Sequence, residues 1–419
     1  MYGYAEHRPS PYTNPPRRIA VAGRAASRSW CPACKTSDSQ LICWLPQVPV
    51  NCSALLPTRP AARQCATGSI ELRACNGCGL AFNAQFDADA VKYDTKYDNS
   101  LDFSPAFQTY VRGLAEYLVD AYSLHGKRVV EIGCGQGAFL KLLCNVGNNT
   151  GKGFDPSFPG DFDPAPGVGF VKDYFGQADA TEGFDFLCCR HVLEHIERPL
   201  EFLLQLSGQR KAGAGATFYF EVPNAGFVLG GEGFWDVIYP HISYFTEASL
   251  RALFERAGFE VLKAGKRFSN QFLFIEARLR QPVQKKHPSG TDKAIGLSDE
   301  LISFTTQFAS AVRDWSACLG RFSAARKRIA FWGAGAKGVT FLNLVPGARN
   351  IVSVIDSNLR KQQMFVPGTG QRISPPETLR EFAPHAVILL NPAYRQEISA
   401  LLATHGVQAG IITQPNILL

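Results

Sequence analysis

The sequence lacks any apolar run approaching the ~20 residues that a membrane-spanning helix requires, so no such helix is expected. Its opening stretch, MYGYAEHRPSPYTNPPRRIAVAGRAASRSW, also lacks the roughly 7–15-residue apolar core of a secretory leader. Residues 1–28 are instead rich in Pro, Arg and Ser and read as a disordered basic tail, with a cytoplasmic location expected. Charge of one sign is scarce elsewhere. Of a net charge of +7, residues 1–30 supply +4 through five Arg against one Glu. The rest has no basic stripe interleaved with aromatics, which argues against a nucleic-acid partner, and its mild basic excess suits an anionic small molecule. H-E-x-x-H is absent, which excludes that metalloprotease chemistry.

Cysteine, by contrast, is plentiful: there are 12. In a reducing compartment, metal binding is expected before a disulfide framework. Cys31-Pro-Ala-Cys34 and Cys75-Asn-Gly-Cys78 form two C-x-x-C knuckles, each able to present two thiolates from one tight turn. With four protein thiolates the implied zinc site is closed, hence structural. Cys43, Cys52 and Cys65 lie between the knuckles without that spacing, and Cys134, Cys144, Cys188, Cys189 and Cys318 read as buried small residues.

The chain divides by composition into a tail (1–28), a zinc-binding domain with linker (29–100), an α/β domain (101–281), a linker with an amphipathic helix (282–326) and a second α/β unit (327–419). In the first α/β domain, FSPAFQTYVRGLAEYLVDAY reads as a helix capped by Ser104, and short strands follow at KRVVEI, GKGFDP, GFVKD, FDFLCC and ATFYFEV. That alternation predicts a doubly wound parallel sheet. GFEVLKAGKRF and NQFLFIEARL have no room for a crossover helix between them and should pair antiparallel. Leu301, Phe304, Phe308, Val312, Trp315, Leu319 and Phe322 recur at spacings of three and four, a stripe that fits packing against a neighbouring domain. YDTKYDNSLDFS (93–104) reads either as a lid or as a polar linker.

Two glycine turns compete for a cofactor. FWGAGAKG carries Gly333, Gly335 and Gly338 in the G-x-G-x-x-G spacing of a dinucleotide site, with Asp356 downstream, so an NAD(P)-dependent oxidoreductase is one reading. The other turn, EIGCGQG, is tighter: Gly133, Gly135 and Gly137 allow close backbone approach, as S-adenosylmethionine requires, and Glu131 precedes them. Asp155 is placed for the ribose hydroxyls and Asp173 for the adenine amino group. His191 lies at the rim of the same site.

EIGCGQG, FDFLCCRHVLEHIERP and the closing hairpin resemble class I S-adenosylmethionine-dependent methyltransferases. With the double knuckle before and the α/β unit after, residues ~30–419 are similar to three-domain sugar C-methyltransferases. The resemblance implies a zinc-bearing lobe, a central cofactor domain, and a Rossmann-like lobe that helps enclose a nucleotide-linked ketodeoxysugar without a redox cofactor. It makes His241 of FWDVIYPHISYFTEASL the candidate general base, with Tyr239 as its partner. The family pattern has Glu where this chain has Pro240 and Tyr where it has Ile238, and the missing Glu makes O- or N-methylation the alternative. Asn224, Tyr244 and Lys337 are candidate substrate contacts, Glu194 and His195 match a pocket-shaping segment, and a monomer is expected.

Overall fold

A computed structural model describes residue 28 and residues 30–91, 104–160, 166–176, 183–208, 212–280 and 299–416. Nearly all of the basic tail, the candidate lid before Ser104 and the polar linker before Asp299 lie outside the described residues. The strands, in chain order, are β1 (Ser39–Pro49), β2 (Thr67–Cys75), β3 (Ala81–Asn83), β4 (Arg128–Ile132), β5 (Thr150–Phe154), β6 (Val168–Val171), β7 (Phe184–Arg190) and β8 (Ala212–Pro223). They continue with β9 (Ser243–Tyr244), β10 (Phe259–Arg267), β11 (Phe272–Leu279), β12 (Ile329–Trp332), β13 (Ser353–Ile355), β14 (Ile373–Ser374), β15 (Ala386–Leu389) and β16 (Gly410–Ile412).

The central sheet has the order β10-β11-β8-β7-β4-β5-β6. Its five strands from β8 to β6 are parallel, and β11 and β10 add antiparallel at one edge, as the short Phe268–Gln271 connection requires. The central strands β7 and β8 are buried on both faces, which is why FDFLCC and ATFYFEV run apolar rather than alternating. Ser104 accepts a hydrogen bond from the Phe107 N–H (3.3 Å) at the start of helix Pro105–Tyr122, and Pro105 fills its first turn. That helix buries Leu114, Ala115, Leu118 and Val119 against the sheet's first strands.

β12 to β16 form a second, wholly parallel sheet of order β14-β13-β12-β15-β16. The two-residue β14 is too short to show in the sequence pattern. β1, β2 and β3 pair antiparallel, with Ile70, Leu72 and Ala74 on the buried face of β2. Their fourth strand is β9, contributed by the loop that carries His241: Ala81 pairs with Tyr244 and Phe82 with Ser243. The stripe on helix Asp299–Ala324 is buried throughout. It shares one core with Ile70 and Leu72 of the first sheet, with Phe234 and Trp235, and with Phe341 of the last unit. That common core joins the first and the C-terminal sheets beside the His241 loop, and a second core packs Cys75, Cys78 and Phe82 against Phe218 and Phe220 of the central sheet.

Candidate active site

The first glycine turn follows β4. Gly133, Gly135 and Gly137 all have left-handed φ, at 72°, 53° and 80°. The Gly133 N–H donates to the Phe154 carbonyl (2.8 Å) and the Gly135 N–H to Asp155 Oδ2 (2.8 Å). Asp155 Oδ1 accepts from the N–H (2.7 Å) and hydroxyl (2.6 Å) of Ser157, so the carboxylate is fixed at the mouth of the turn and half-buried. A Cβ on Gly133 would lie 2.1 Å from Val192 and one on Gly137 2.3 Å from Phe170, whereas one on Gly135 would meet no atom within 4 Å. The turn therefore closes on two sides and leaves an open cradle above Gly135, bordered by Asp155. Glu131 is buried beneath it. Asp173 is exposed after β6 and accepts the Tyr174 N–H (2.7 Å).

At the carboxyl ends of β7 and β8 sits a charged group that the motifs did not reveal. Glu221 is wholly buried, and it accepts from Arg190 Nη2 (3.1 Å), His191 Nε2 (3.1 Å) and the hydroxyls of Tyr219 (3.0 Å) and Tyr110. Burial pushes its carboxyl up, but Arg190 and the His191 hydrogen bond outweigh that and hold it at about 2. His191 has a left-handed φ of 56° and its ring packs edge-on against Phe272 (4.5 Å). The signal available in the sequence was one acid inside an apolar strand, ATFYFEV: an acid there must be paired or it could not be buried.

The adjoining loop brings a second polar group together. His195 Nδ1 donates to the Pro240 carbonyl (2.8 Å), and the Ile242 N–H donates to the Glu194 carbonyl (2.8 Å). These bonds flank His241, whose ring lies edge-on to His195 (4.9 Å). One ligating atom each from Glu194, His195 and His241 falls within 4.8 Å of the others. Burial and then the Lys337 charge lower His241 to about 3, and burial and then His241 lower His195 to about 3. Both imidazoles are therefore neutral at neutral pH. Burial pushes the Glu194 carboxyl well above its ordinary range.

Lys337, from the unit beyond Ile329, reaches into this group. Its Nζ lies 3.3 Å from Asp236 Oδ2 and 3.5 Å from Gln271 Oε1. Gln271 and Asn391 exchange two side-chain hydrogen bonds (2.9 and 3.0 Å) beside it. Gln271 and Asn391 had no motif to mark them. The other candidates fall differently. The Tyr239 hydroxyl accepts the Asp87 N–H (3.0 Å), and its ring packs on Phe86, so it is engaged in the first lobe rather than with His241. The Tyr244 hydroxyl bonds both the N–H and the carbonyl of Ile238 (3.1 Å each), which closes its own loop. Asn224 caps the next turn through the Gly226 N–H (3.0 Å) and donates to the Asn270 carbonyl (2.7 Å). These three residues shape the loop; their polar atoms have partners within the chain.

The knuckles converge: Cys31 and Cys78 Sγ are 3.6 Å apart, and Cys34 and Cys75 Sγ 3.4 Å. Bonds of ~2.3 Å in a tetrahedron put sulfurs roughly 3.8 Å apart, so the four thiols fit a zinc ion after small adjustment. The second glycine turn is built like the first, with the Ala334 N–H donating to Asp356 Oδ2 and the Asn358 N–H to Oδ1 (2.8 and 2.9 Å). Asp356, however, is buried and pairs with Lys361 (3.5 Å), whose Nζ stands over Gly335. Gly338 is required for packing alone, since a Cβ there would lie 1.9 Å from the Gly333 carbonyl oxygen.

Residues 106–264 match a family model described as a methyltransferase domain, and residues 277–413 match the C-methyltransferase C-terminal domain. The central sheet and its glycine turn thus lie within the match to a methyltransferase domain, and the C-terminal sheet within the match to a C-methyltransferase C-terminal domain. Among curated proteins no sequence match was found. Solved structures similar to part of the chain include an S-adenosylmethionine-dependent methyltransferase from Mesorhizobium loti (17% identity, 40% of this chain and 99% of that one, TM-score 0.33). Another is magnesium protoporphyrin IX methyltransferase from Synechocystis PCC 6803 (20%, 42% and 84%, TM-score 0.33). A third is human N-acetylserotonin methyltransferase (14%, 42% and 55%, TM-score 0.34). Among the described residues no helix is long and apolar enough to cross a membrane.

Proposed function

We propose that the protein transfers a methyl group from S-adenosylmethionine to a small molecule, and that the acceptor is a nucleotide-linked ketodeoxysugar methylated on carbon. The observation that carries this reading is a juxtaposition. The open cradle at Gly135 and Asp155 follows β4 and β5, while His191, Glu194, His195 and His241 gather beyond the neighbouring β7 and β8. Open parallel sheets bind ligands at that carboxyl edge. The match of the C-terminal unit to a C-methyltransferase domain supports carbon as the target.

When bound, S-adenosylmethionine supplies an electrophilic methyl; the chain must position it and manage the acceptor's proton. Gly135 gives the backbone room, and Asp155 holds acceptor lone pairs toward the ribose hydroxyls. His241 is the first candidate to act on the proton of the acceptor carbon, because its neutral imidazole can accept one. An anionic acceptor pairing with Lys337 would relieve the repulsion that helps lower His241 and so raise its basicity.

O- or N-methylation is the second reading. It rests on His241 being held at about 3, since a hydroxyl or amine needs no removal of a carbon-bound proton. One assay separates them. The protein, S-adenosylmethionine and a panel of nucleotide-linked ketodeoxysugars are combined, and the product is read by mass and by NMR. A new carbon-bound methyl, with turnover lost in His241→Gln and cofactor affinity retained, is the expected result. A methyl on oxygen or nitrogen, or full turnover in His241→Gln, would overturn the finer reading.

A further inference from the structure

Glu194, His195 and His241 form a donor cluster of which the methyl-transfer reading uses only His241. Glu194 is 1% exposed and comes from the turn after β7; its Oε2 is buried without a hydrogen-bond partner. His191 Nδ1 lies 3.8 Å from the other carboxyl oxygen. A buried carboxyl oxygen left without a partner is unfavourable, so a chain that keeps one gives reason to look for a missing ligand. His195 donates its Nδ1 hydrogen to the Pro240 carbonyl, which fixes the tautomer and leaves the lone pair on Nε2. A backbone carbonyl holding one ring nitrogen is the usual outer support of a metal-ligating histidine. His241 is 6% exposed, and the backbone of Asp236 is its partner.

We propose that Glu194, His195 and His241 bind a divalent first-row transition-metal ion. Two imidazoles and one carboxylate on one side of an ion form the donor set suited to zinc, iron(II) or manganese(II), with coordination positions left open. The three ligating atoms lie within 4.8 Å of one another, and bonds of about 2.0–2.2 Å draw them in by an ångström or so. This site differs from the Cys31–Cys34–Cys75–Cys78 cluster in donor set and in its open positions. Its part in catalysis rests on the function proposed above: an open position takes the acceptor's ketone oxygen and polarises it, which makes the neighbouring C–H more acidic. With His241 a ligand in place of the base proposed above, the acidified proton passes to solvent water.

The test uses the full chain with its Cys-bound metal retained, titrated with Co(II) alone. Thiolate-to-cobalt charge transfer reports any filling of the cysteine site, whereas a nitrogen–oxygen site shows only weaker d–d absorption. The expected result is one equivalent of the second type, with affinity lowered at least tenfold in both Glu194→Gln and His241→Gln. Circular dichroism and retained metal at the cysteine site show that the variants fold; should one fail to fold, His195→Gln takes its place. No nitrogen–oxygen equivalent in the unaltered protein would overturn the proposal. So would an equivalent that persists unchanged in the variants, which would mark surface binding. S-adenosylmethionine binding is measured on the same samples. Cofactor binding without the second equivalent sinks the metal site alone, and a second equivalent without cofactor binding sinks the methyltransferase reading alone.

Discussion

Asp155 and Asp356 hold backbone N–H groups in the same way, and what separates them is exposure. Asp155 borders open space at Gly135, while Asp356 is buried and covered by Lys361. Asp155→Ala removes a charged acceptor and unties the Gly135 N–H, at roughly 1.5–3 kcal/mol, so S-adenosylmethionine affinity should fall about 10- to 100-fold. Asp356→Ala should lower stability and leave that affinity unchanged. Glu221 gives a pH prediction. Its folded pKa of about 2 lies below the ordinary 4.5, so below that value the unfolded chain binds the proton first. The stabilisation, at most about 3 kcal/mol, is present above pH 4.5 and lost as pH falls toward 2. Denaturant midpoints should decline across that window, and Glu221→Gln should flatten the decline. A residue such as Glu221 was hard to see in the sequence because its partners are far apart along the chain: Tyr110 and Arg190 meet it only after the sheet forms.

The elements were legible where one period governs them. The stripe from Leu301 to Phe322 reads as a helix, and all seven of its side chains are buried. Trp315, fully buried against Trp235 and Phe341, should cost about 3–5 kcal/mol when truncated to Ala, as measured by urea unfolding. β9 was not legible, because two residues carry no period and their partner, β3, lies in the first lobe. That pairing has a mechanical consequence. Cys75 and Cys78 share a core with Phe82 and Phe245, and the Asn83 N–H bonds the Ile242 carbonyl (2.9 Å), one residue from His241. Cys75→Ser, which breaks the cysteine cluster, should therefore speed amide exchange across residues 241–245 more than in β4 or β7. Unchanged protection there would show that the first lobe does not hold the loop.

At the scale of the whole molecule, the three lobes meet around one loop, and each supplies something to it: β3 from the first, the carboxyl edge of β7 and β8 from the second, and Lys337 from the third. Motif spacing revealed the glycine turns and the knuckles, and Glu131, Asp155 and the closing hairpin favoured the upstream turn; what covers each turn was not legible. It placed Tyr239, Tyr244 and Asn224 in or beside this loop, where their polar atoms bond Asp87, Ile238 and Asn270 in turn. The central claim is that the turn at Gly133–Gly137 holds the working cofactor. Calorimetric titration with S-adenosylmethionine and, separately, with NAD and NADP tests it most directly. The account predicts one equivalent of S-adenosylmethionine, weakened in Asp155→Ala, and no heat from either dinucleotide; dinucleotide binding that survives Asp155→Ala and is lost in Asp356→Ala, with no binding of S-adenosylmethionine, would contradict it.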